Sequence, residues 1–232
     1  MARKKGQSKN SKNRHLITKL NPKSPVSEQF RTVRTNLQFA SVDEALKTIL
    51  VTSSGPSEGK SSSIANLAVV YAQQGKKVLL VDADMRKPTV HYTFRLDNLS
   101  GLSNYLVGEG ALADAISETD VMDLDVITCG PIPPNPSELL GSKKMERFIQ
   151  EAGESYDVIL FDTPPVLAVT DAQILANLCN GSLLIVRSKQ TELEPAKKAI
   201  DVLQSAKAKF LGVVLNDQEK KESNYYYYYG KN

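Results

Sequence analysis

Six short apolar runs recur along this chain: LKTILVTS (46–53), KKVLLVDAD (76–84), DLDVITCG (123–130), YDVILFD (156–162), GSLLIVRS (181–188) and KFLGVVLN (209–216). Apolar residues are continuous within each run rather than alternating, the pattern of strands buried on both faces of a parallel sheet. Between the runs lie stretches of helical spacing: an amphipathic SSIANLAVVYAQQ (62–74), SELLGSKKMERFIQEA (137–152) and TELEPAKKAIDVLQSA (191–206). A further helix is expected from about Pro25, in PVSEQFRTVRTNLQFA, with Phe30, Val33, Leu37 and Phe39 roughly on one face. Glu28, Arg31 and Arg34 fall on a neighbouring face turned to solvent or a partner. Strand and helix alternating in this way predict an open α/β sheet, mostly parallel, with helices on both faces. GPIPPNPS (130–137) has too many prolines for a helix or central strand and predicts a shaped loop after a strand.

Charge divides the 232 residues unevenly. Residues 1–23 hold eight Lys or Arg and no acid, which leaves 21 bases against 26 acids in the remainder, so the core is mildly acidic although the whole chain is +3. One domain is expected over 25–216, with a flexible basic leader (1–24) and a tyrosine-rich tail (217–232). The leader is read as a solvated arm; an anionic membrane surface is the other reading, and no nucleic-acid partner is expected. No apolar stretch follows it as in a secretory signal, and no window approaches the ~18 apolar residues of a spanning helix. Cys129 and Cys179 sit in apolar contexts without a C-x-x-C spacing, which reads as reduced and buried in a cytoplasmic protein.

The first strand runs into SSGPSEGKSSS and then into a helix. Gly59, Lys60 and Ser61 supply the end of the phosphate-loop pattern G-x-x-x-x-G-K-[ST], although Ser54 stands at its first glycine and Gly55 follows one place later. Such a loop aims backbone N–H groups at a triphosphate over a helix N-terminus, while the lysine reaches the β and γ phosphates and a hydroxyl binds Mg²⁺. Ser57, Glu58, Gly59, Lys60, Ser61 and Ser62 are the expected nucleotide-binding residues. VLLVDADMRKP places Asp82 and Asp84 at the carboxyl end of a strand, on one side of the extended chain, and VILFDTPP does the same for Asp162. Three acids and the loop thus converge on one rim. The chain ends SNYYYYYGKN, with Tyr225, Tyr226, Tyr227, Tyr228 and Tyr229 in flanks too polar for a core strand.

GEGKS, VLLVDADMRKP, FDTPP and the tyrosine cluster together resemble the bacterial tyrosine kinases, and within them the stand-alone cytoplasmic subunit of capsule and exopolysaccharide systems. The likeness covers nearly all the chain from about Pro25, including EQFRTVRTN, GPIPPNPSELL and LGVVLN. It implies a P-loop NTPase fold and an ATP-dependent, Mg²⁺-dependent protein-tyrosine kinase that phosphorylates its own tail in trans. Lys60 would hold the phosphates, and Ser61 and Asp162 would organise Mg²⁺. Asp82 and Asp84 would help to position the metal and activate the tyrosine hydroxyl, with Asp82 the candidate base. Members often carry glycine where this chain has Ser57.

Glu28, Arg31 and Arg34 match the family's E-x-x-R-x-x-R motif, which implies contacts closing a homo-oligomeric ring. The same resemblance implies a transmembrane adaptor acting through its cytoplasmic tail, recruitment to the inner face of the plasma membrane, a cognate tyrosine phosphatase and protein substrates in polysaccharide assembly. The alternative is a ParA/MinD-like ATPase switch that transfers no phosphate to protein. Its additional lysine near the start of the P-loop is missing from TSSGPSE (52–58).

Overall fold

The computed structural model describes residues 16–40 and 46–219. In chain order they form α1 (Ile17–Leu20), α2 (Pro25–Phe39), β1 (Thr48–Ser53), α3 (Lys60–Ala72), β2 (Val78–Asp82), α4 (Val90–Phe94), α5 (Leu102–Val107) and α6 (Leu112–Ala115). There follow β3 (Ile116–Glu118), β4 (Leu124–Ile127), α7 (Pro136–Leu140), α8 (Lys143–Ser155), β5 (Val158–Asp162), α9 (Asp171–Ala176), β6 (Gly181–Arg187), α10 (Leu193–Gln204) and β7 (Lys209–Asn216). The seven strands lie in the order β3-β4-β2-β5-β1-β6-β7. Every pairing is parallel except that of β3 with β4.

Strand side chains alternate between two cores. Ile49, Val51 and Leu80 face a core shared with α2 and α3, whereas Leu50, Leu79 and Phe161 face one shared with α8, α9 and α10. The continuous apolar runs at β1, β2 and β5 follow from this, since both faces of these strands are covered and all their residues are buried. β7 departs from the expectation. It is an edge strand with Val213 and Leu215 about half exposed, because among the described residues no further strand pairs with its outer side, and its register with β6 is irregular between Ser182 and Leu183. β3, three residues long, was not expected; runs that short carry no readable period.

α3 is expected to be amphipathic, yet eleven of its thirteen residues are buried. It lies against the sheet on one side and under α1 and α2 on the other, and a helix covered on both sides has no use for a polar stripe. The covering layer also corrects the leader boundary. Residues 16–24 are folded: Leu16 and Thr18 are buried, and the Thr18 N–H and hydroxyl both donate to Asn66 Oδ1 of α3, at 3.0 and 2.8 Å. Ser24 then caps α2, accepting from the Ser27 N–H before Pro25 at the first helical position. Phe39, expected on the apolar face of α2, is exposed at the helix end. The helix expected over 137–152 is two, α7 and α8, separated at Gly141 and restarted by Ser142, which accepts from the Met145 N–H.

Asn66→Ala leaves the buried Thr18 N–H without its acceptor and its hydroxyl with only the longer 3.4 Å contact to the residue 66 carbonyl, and should lower unfolding stability by about 1–3 kcal/mol. Urea denaturation of the purified protein checks this; an unchanged midpoint would contradict the role given to this bond.

Candidate active site

Six residues, 54–59, join the end of β1 to the first residue of α3. Ser57 and Gly59 both take the left-handed conformation, at φ 65° and 91°. At Gly59 a Cβ would also collide with the Asn216 side-chain amide, so glycine is required on two counts. Ser57 tolerates its conformation at a cost of roughly 1–2 kcal/mol, a position at which glycine would be free of strain. Glu58, expected among the nucleotide ligands, spends its carboxylate on the loop itself. It accepts from the Ser54 N–H at 2.9 Å, from the Ser54 hydroxyl at 2.7 Å and from the Thr191 hydroxyl at 2.7 Å. Its carbonyl accepts from Asn216 Nδ2 at 2.9 Å. Ser54 thus replaces the first glycine of the pattern with a side chain that ties the loop's start to its end. Ser62 lies half-buried on the first turn of α3, where its carbonyl accepts from Asn66.

Strand register assembles the acids. β2 and β5 are neighbours with Asp82 paired to Asp162, and Asp162 is also the register partner of Val51 in β1 two residues before Ser53. Into this group reaches Lys60, its ammonium 2.8 Å from Asp84 Oδ2 and 3.3 Å from Asp162 Oδ1. Burial alone would lower the lysine's pKa; the carboxylates of Asp162, Asp84 and Asp82 outweigh it and hold the pKa above the ordinary value. Burial raises the Asp162 carboxyl above the usual carboxylate range, against the opposing pull of the Lys60 ammonium and the Ser61 hydroxyl. Burial and the neighbouring Asp162 push Asp82 up to about 7, opposed by N–H groups of Val90 and Thr89.

Asp82 is fully buried and already shapes the loop that follows it. Its Oδ2 accepts from the N–H groups of Thr89 and Val90 at 2.8 and 2.9 Å, and its Oδ1 from the Asp84 N–H at 3.2 Å. Three of the roughly four acceptor positions of the carboxylate are therefore used, leaving one on Oδ1. Asp162 Oδ2 is the opposite case, a buried carboxylate oxygen with no hydrogen-bond partner. Beside Ser61 and a P-loop lysine, an unpartnered oxygen of this kind fits a small hard cation that takes oxygen ligands, as Mg²⁺ does. Asp82, Asp84, Asp162, Lys60 and Ser61 are thus brought together as expected.

Several contributors lacked a sequence signal. Asn216 and Thr191 act on the P-loop from 158 and 133 residues away, through contacts no local motif encodes. Arg86 is locked by two 2.9 Å hydrogen bonds to the buried Asp171, which ties the segment after Asp84 to the start of α9. Glu28, Arg31 and Arg34 stand apart from the site on α2: Arg31 pairs with Glu28, and Arg34 Nη1 donates to the Val70 carbonyl of α3 at 2.7 Å. Tyr225–Tyr229 and the leader's first fifteen residues lie outside the described residues.

Glu58→Ala removes the acceptor for two buried groups of Ser54, a loss of about 1–3 kcal/mol that should weaken nucleotide affinity about fivefold or more. Calorimetric titration with a non-hydrolysable ATP analogue reads this out, and wild-type affinity in the variant would refute the bracing role.

The comparisons with known proteins agree with this geometry. A family model described as an AAA domain matches residues 46–211. The tyrosine-protein kinase YwqD of Bacillus subtilis is 52% identical over 206 residues, 89% of this chain and 87% of that protein. The putative tyrosine-protein kinase CapB of Staphylococcus aureus is 46% identical, over 84% of this chain and 86% of its own. Among solved structures, the kinase domain of the Escherichia coli tyrosine kinase ETK matches with a TM-score of 0.86 at 35% identity, over 98% of this chain and 88% of that one. The septum site-determining protein MinD of Pyrococcus horikoshii, complexed with Mg-ADP, matches less fully, with a TM-score of 0.64 at 26% identity over 76% of this chain and 72% of that one. Phosphate loop, paired strand-end aspartates and a likeness to named kinases over more than four fifths of each chain point the same way: this chain belongs to the bacterial tyrosine-protein kinases.

Proposed function

We propose that this protein transfers the γ-phosphoryl group of ATP to tyrosine hydroxyls of its own C-terminal run, Tyr225–Tyr229, on neighbouring copies of itself. The observation that carries this reading is the Lys60 ammonium held among Asp84, Asp162 and Asp82 at the mouth of the P-loop. When ATP binds, Lys60 exchanges its carboxylate partners for β and γ phosphate oxygens. Ser61 and Asp162, with Asp82 behind them, would hold the Mg²⁺ that accompanies the nucleotide and that neutralises charge on the transferred group.

The tyrosine oxygen then forms its bond to the γ-phosphorus as the bond to the β–γ bridging oxygen breaks, and ADP leaves. A phenol has a pKa near 10, so its proton needs an acceptor as the bond forms. Asp82 is suited to that role by its raised proton affinity and by the remaining acceptor position on Oδ1. Its burial within the field of the Lys60 ammonium would tie its availability to the lysine's departure towards phosphate.

The acceptor lies within reach. β7 ends at Asn216 on the same rim, and nine residues of extended chain span at most roughly 30 Å to Tyr225. Glu28, exposed on α2, and the half-buried Arg31 paired with it supply the surface for a ring in which one copy's tail meets the next copy's site, with Arg34 behind them. Among the described residues no helix is long and apolar enough to cross a membrane. A separate transmembrane adaptor recruiting the kinase to the inner face of the plasma membrane accords with that. A cognate phosphatase resets the tail, and proteins of capsule or exopolysaccharide assembly are the further substrates.

Mass spectrometry after incubation with Mg-ATP should find phosphate on the tail tyrosines of the wild type and none in Lys60→Met. Asp82→Asn should retain nucleotide but label its tail about 10²- to 10⁴-fold more slowly. ADP release without any phosphotyrosine would instead favour the partner-controlled ATPase reading. Full modification adds roughly −8 to −10 charges to the tail of an acidic core, so light scattering should record a smaller particle after ATP. A ring that persists with a fully phosphorylated tail would rule out charge-driven release.

A further inference from the structure

Behind the P-loop, three segments distant in sequence are fastened to one another. Arg187, the last residue of β6, directs Nε and Nη2 to Asp217 Oδ2 at 2.9 and 2.7 Å, while its Nη1 reaches towards the Ser57 carbonyl at 3.4 Å. Its backbone N–H donates to the Thr191 hydroxyl, and that hydroxyl donates to Glu58. One residue before Asp217, Asn216 holds the Glu58 carbonyl, and its own carbonyl accepts from the Ser188 N–H at 2.8 Å. Two residues after Asp217, Glu219 pairs with Lys189. Asp217 itself takes a left-handed conformation at φ 56°, which no glycine relieves and which costs roughly 1–2 kcal/mol.

The stretch 216–219 is therefore attached both to the nucleotide loop and to the turn that opens α10. This stretch is also the root of the segment that carries the tyrosines. Tyr225 lies six residues beyond Glu219 and Tyr229 ten, which bounds their reach at roughly 20 and 35 Å from a fixed point beside the P-loop.

We propose that Arg187 and Asp217 are positioning residues for tail phosphorylation: they pin the root of the acceptor segment to the nucleotide loop, setting both the length of its tether and the direction of its departure. The inference rests on the kinase reading above. Once a tether is longer than the span it crosses, its effective concentration at a site falls roughly as the −3/2 power of its length, the regime we assign to the tail. Freeing 217–219 lengthens the tether from six residues to nine at Tyr225 but only from ten to thirteen at Tyr229. The penalty is therefore graded along the run, about twofold at Tyr225 from length alone and smaller at Tyr229. Loss of direction adds to both, so a total slowing of about two- to fivefold is expected at the near end.

The test compares the full-length wild type with Asp217→Ala/Glu219→Ala and with the exchanged pair Arg187→Asp/Asp217→Arg, measuring the initial phosphorylation rate at each tyrosine by mass spectrometry. A soluble glutamate–tyrosine copolymer serves as a separate acceptor. In the double alanine variant the tail should slow, most at Tyr225 and least at Tyr229, while the copolymer is labelled at the wild-type rate and ATP affinity is unchanged. The exchanged pair should recover tail labelling relative to Arg187→Asp alone. Wild-type rates at all five tyrosines, equal slowing at all five, or parallel loss with the copolymer would each overturn the positioning role. A wild-type protein that forms no phosphotyrosine on tail or copolymer would overturn the kinase reading together with this inference.

Discussion

The structure is organised around one charge held where charge is costly. Lys60 lies at the first residue of α3 among Asp84, Asp162 and Asp82, all of them nearly or wholly inaccessible to water. Removing any carboxylate from solvent is expensive unless it is paired or hydrogen-bonded, and here each is stabilised differently. Asp84 takes the closest contact with the ammonium, Asp82 takes three backbone N–H groups, and Asp162 takes a longer contact and keeps an oxygen unpartnered. The three are therefore chemically inequivalent although each stands at or near a strand end.

That inequivalence follows from the fold. Parallel pairing of β2 with β5 fixes Asp82 beside Asp162, and the short helix α4 begins at Val90 because the Asp82 carboxylate gathers the N–H groups of Thr89 and Val90. Arg86, anchored on Asp171, holds the intervening loop to the other side of the sheet. The loop before α3 is fixed by a different set: its own Ser54 and Glu58, Thr191 from the turn between β6 and α10, and Asn216 at the end of β7. The lysine is thus presented by the first turn of α3 and the acids by the ends of β2 and β5 and the turn after β2, meeting at the sheet's carboxyl rim.

What could be read in the sequence was what local pattern encodes. The runs at β1, β2 and β5 were legible because both faces of those strands are buried, and G-K-S, D-A-D and F-D-T were legible because chemistry requires those residue types at strand ends. What escaped depends on contacts across the fold. β7 reads like an interior strand although it lies at the edge, since its apolar residues serve one covered face and a half-open one. Thr18 sits in a basic stretch that looks like leader, and only its pairing with Asn66 shows that folding begins earlier. Glu58 is expected to serve the nucleotide through a loop whose backbone N–H groups face the phosphates, and only the positions of Ser54 and Thr191 show that its carboxylate braces the loop as well.

Arg34 gives α3 a meaning beyond packing. An α-helix of thirteen residues is roughly 20 Å long and carries partial positive charge at its first turn and partial negative charge at its last. The first turn lies under the phosphate loop. The last turn ends with the Val70 carbonyl held by the Arg34 guanidinium, a full positive charge supplied by another helix. α3 is thereby terminated electrically at its far end, where a charge from the outer layer offsets the helix's negative pole and leaves the positive pole alone facing the phosphate loop.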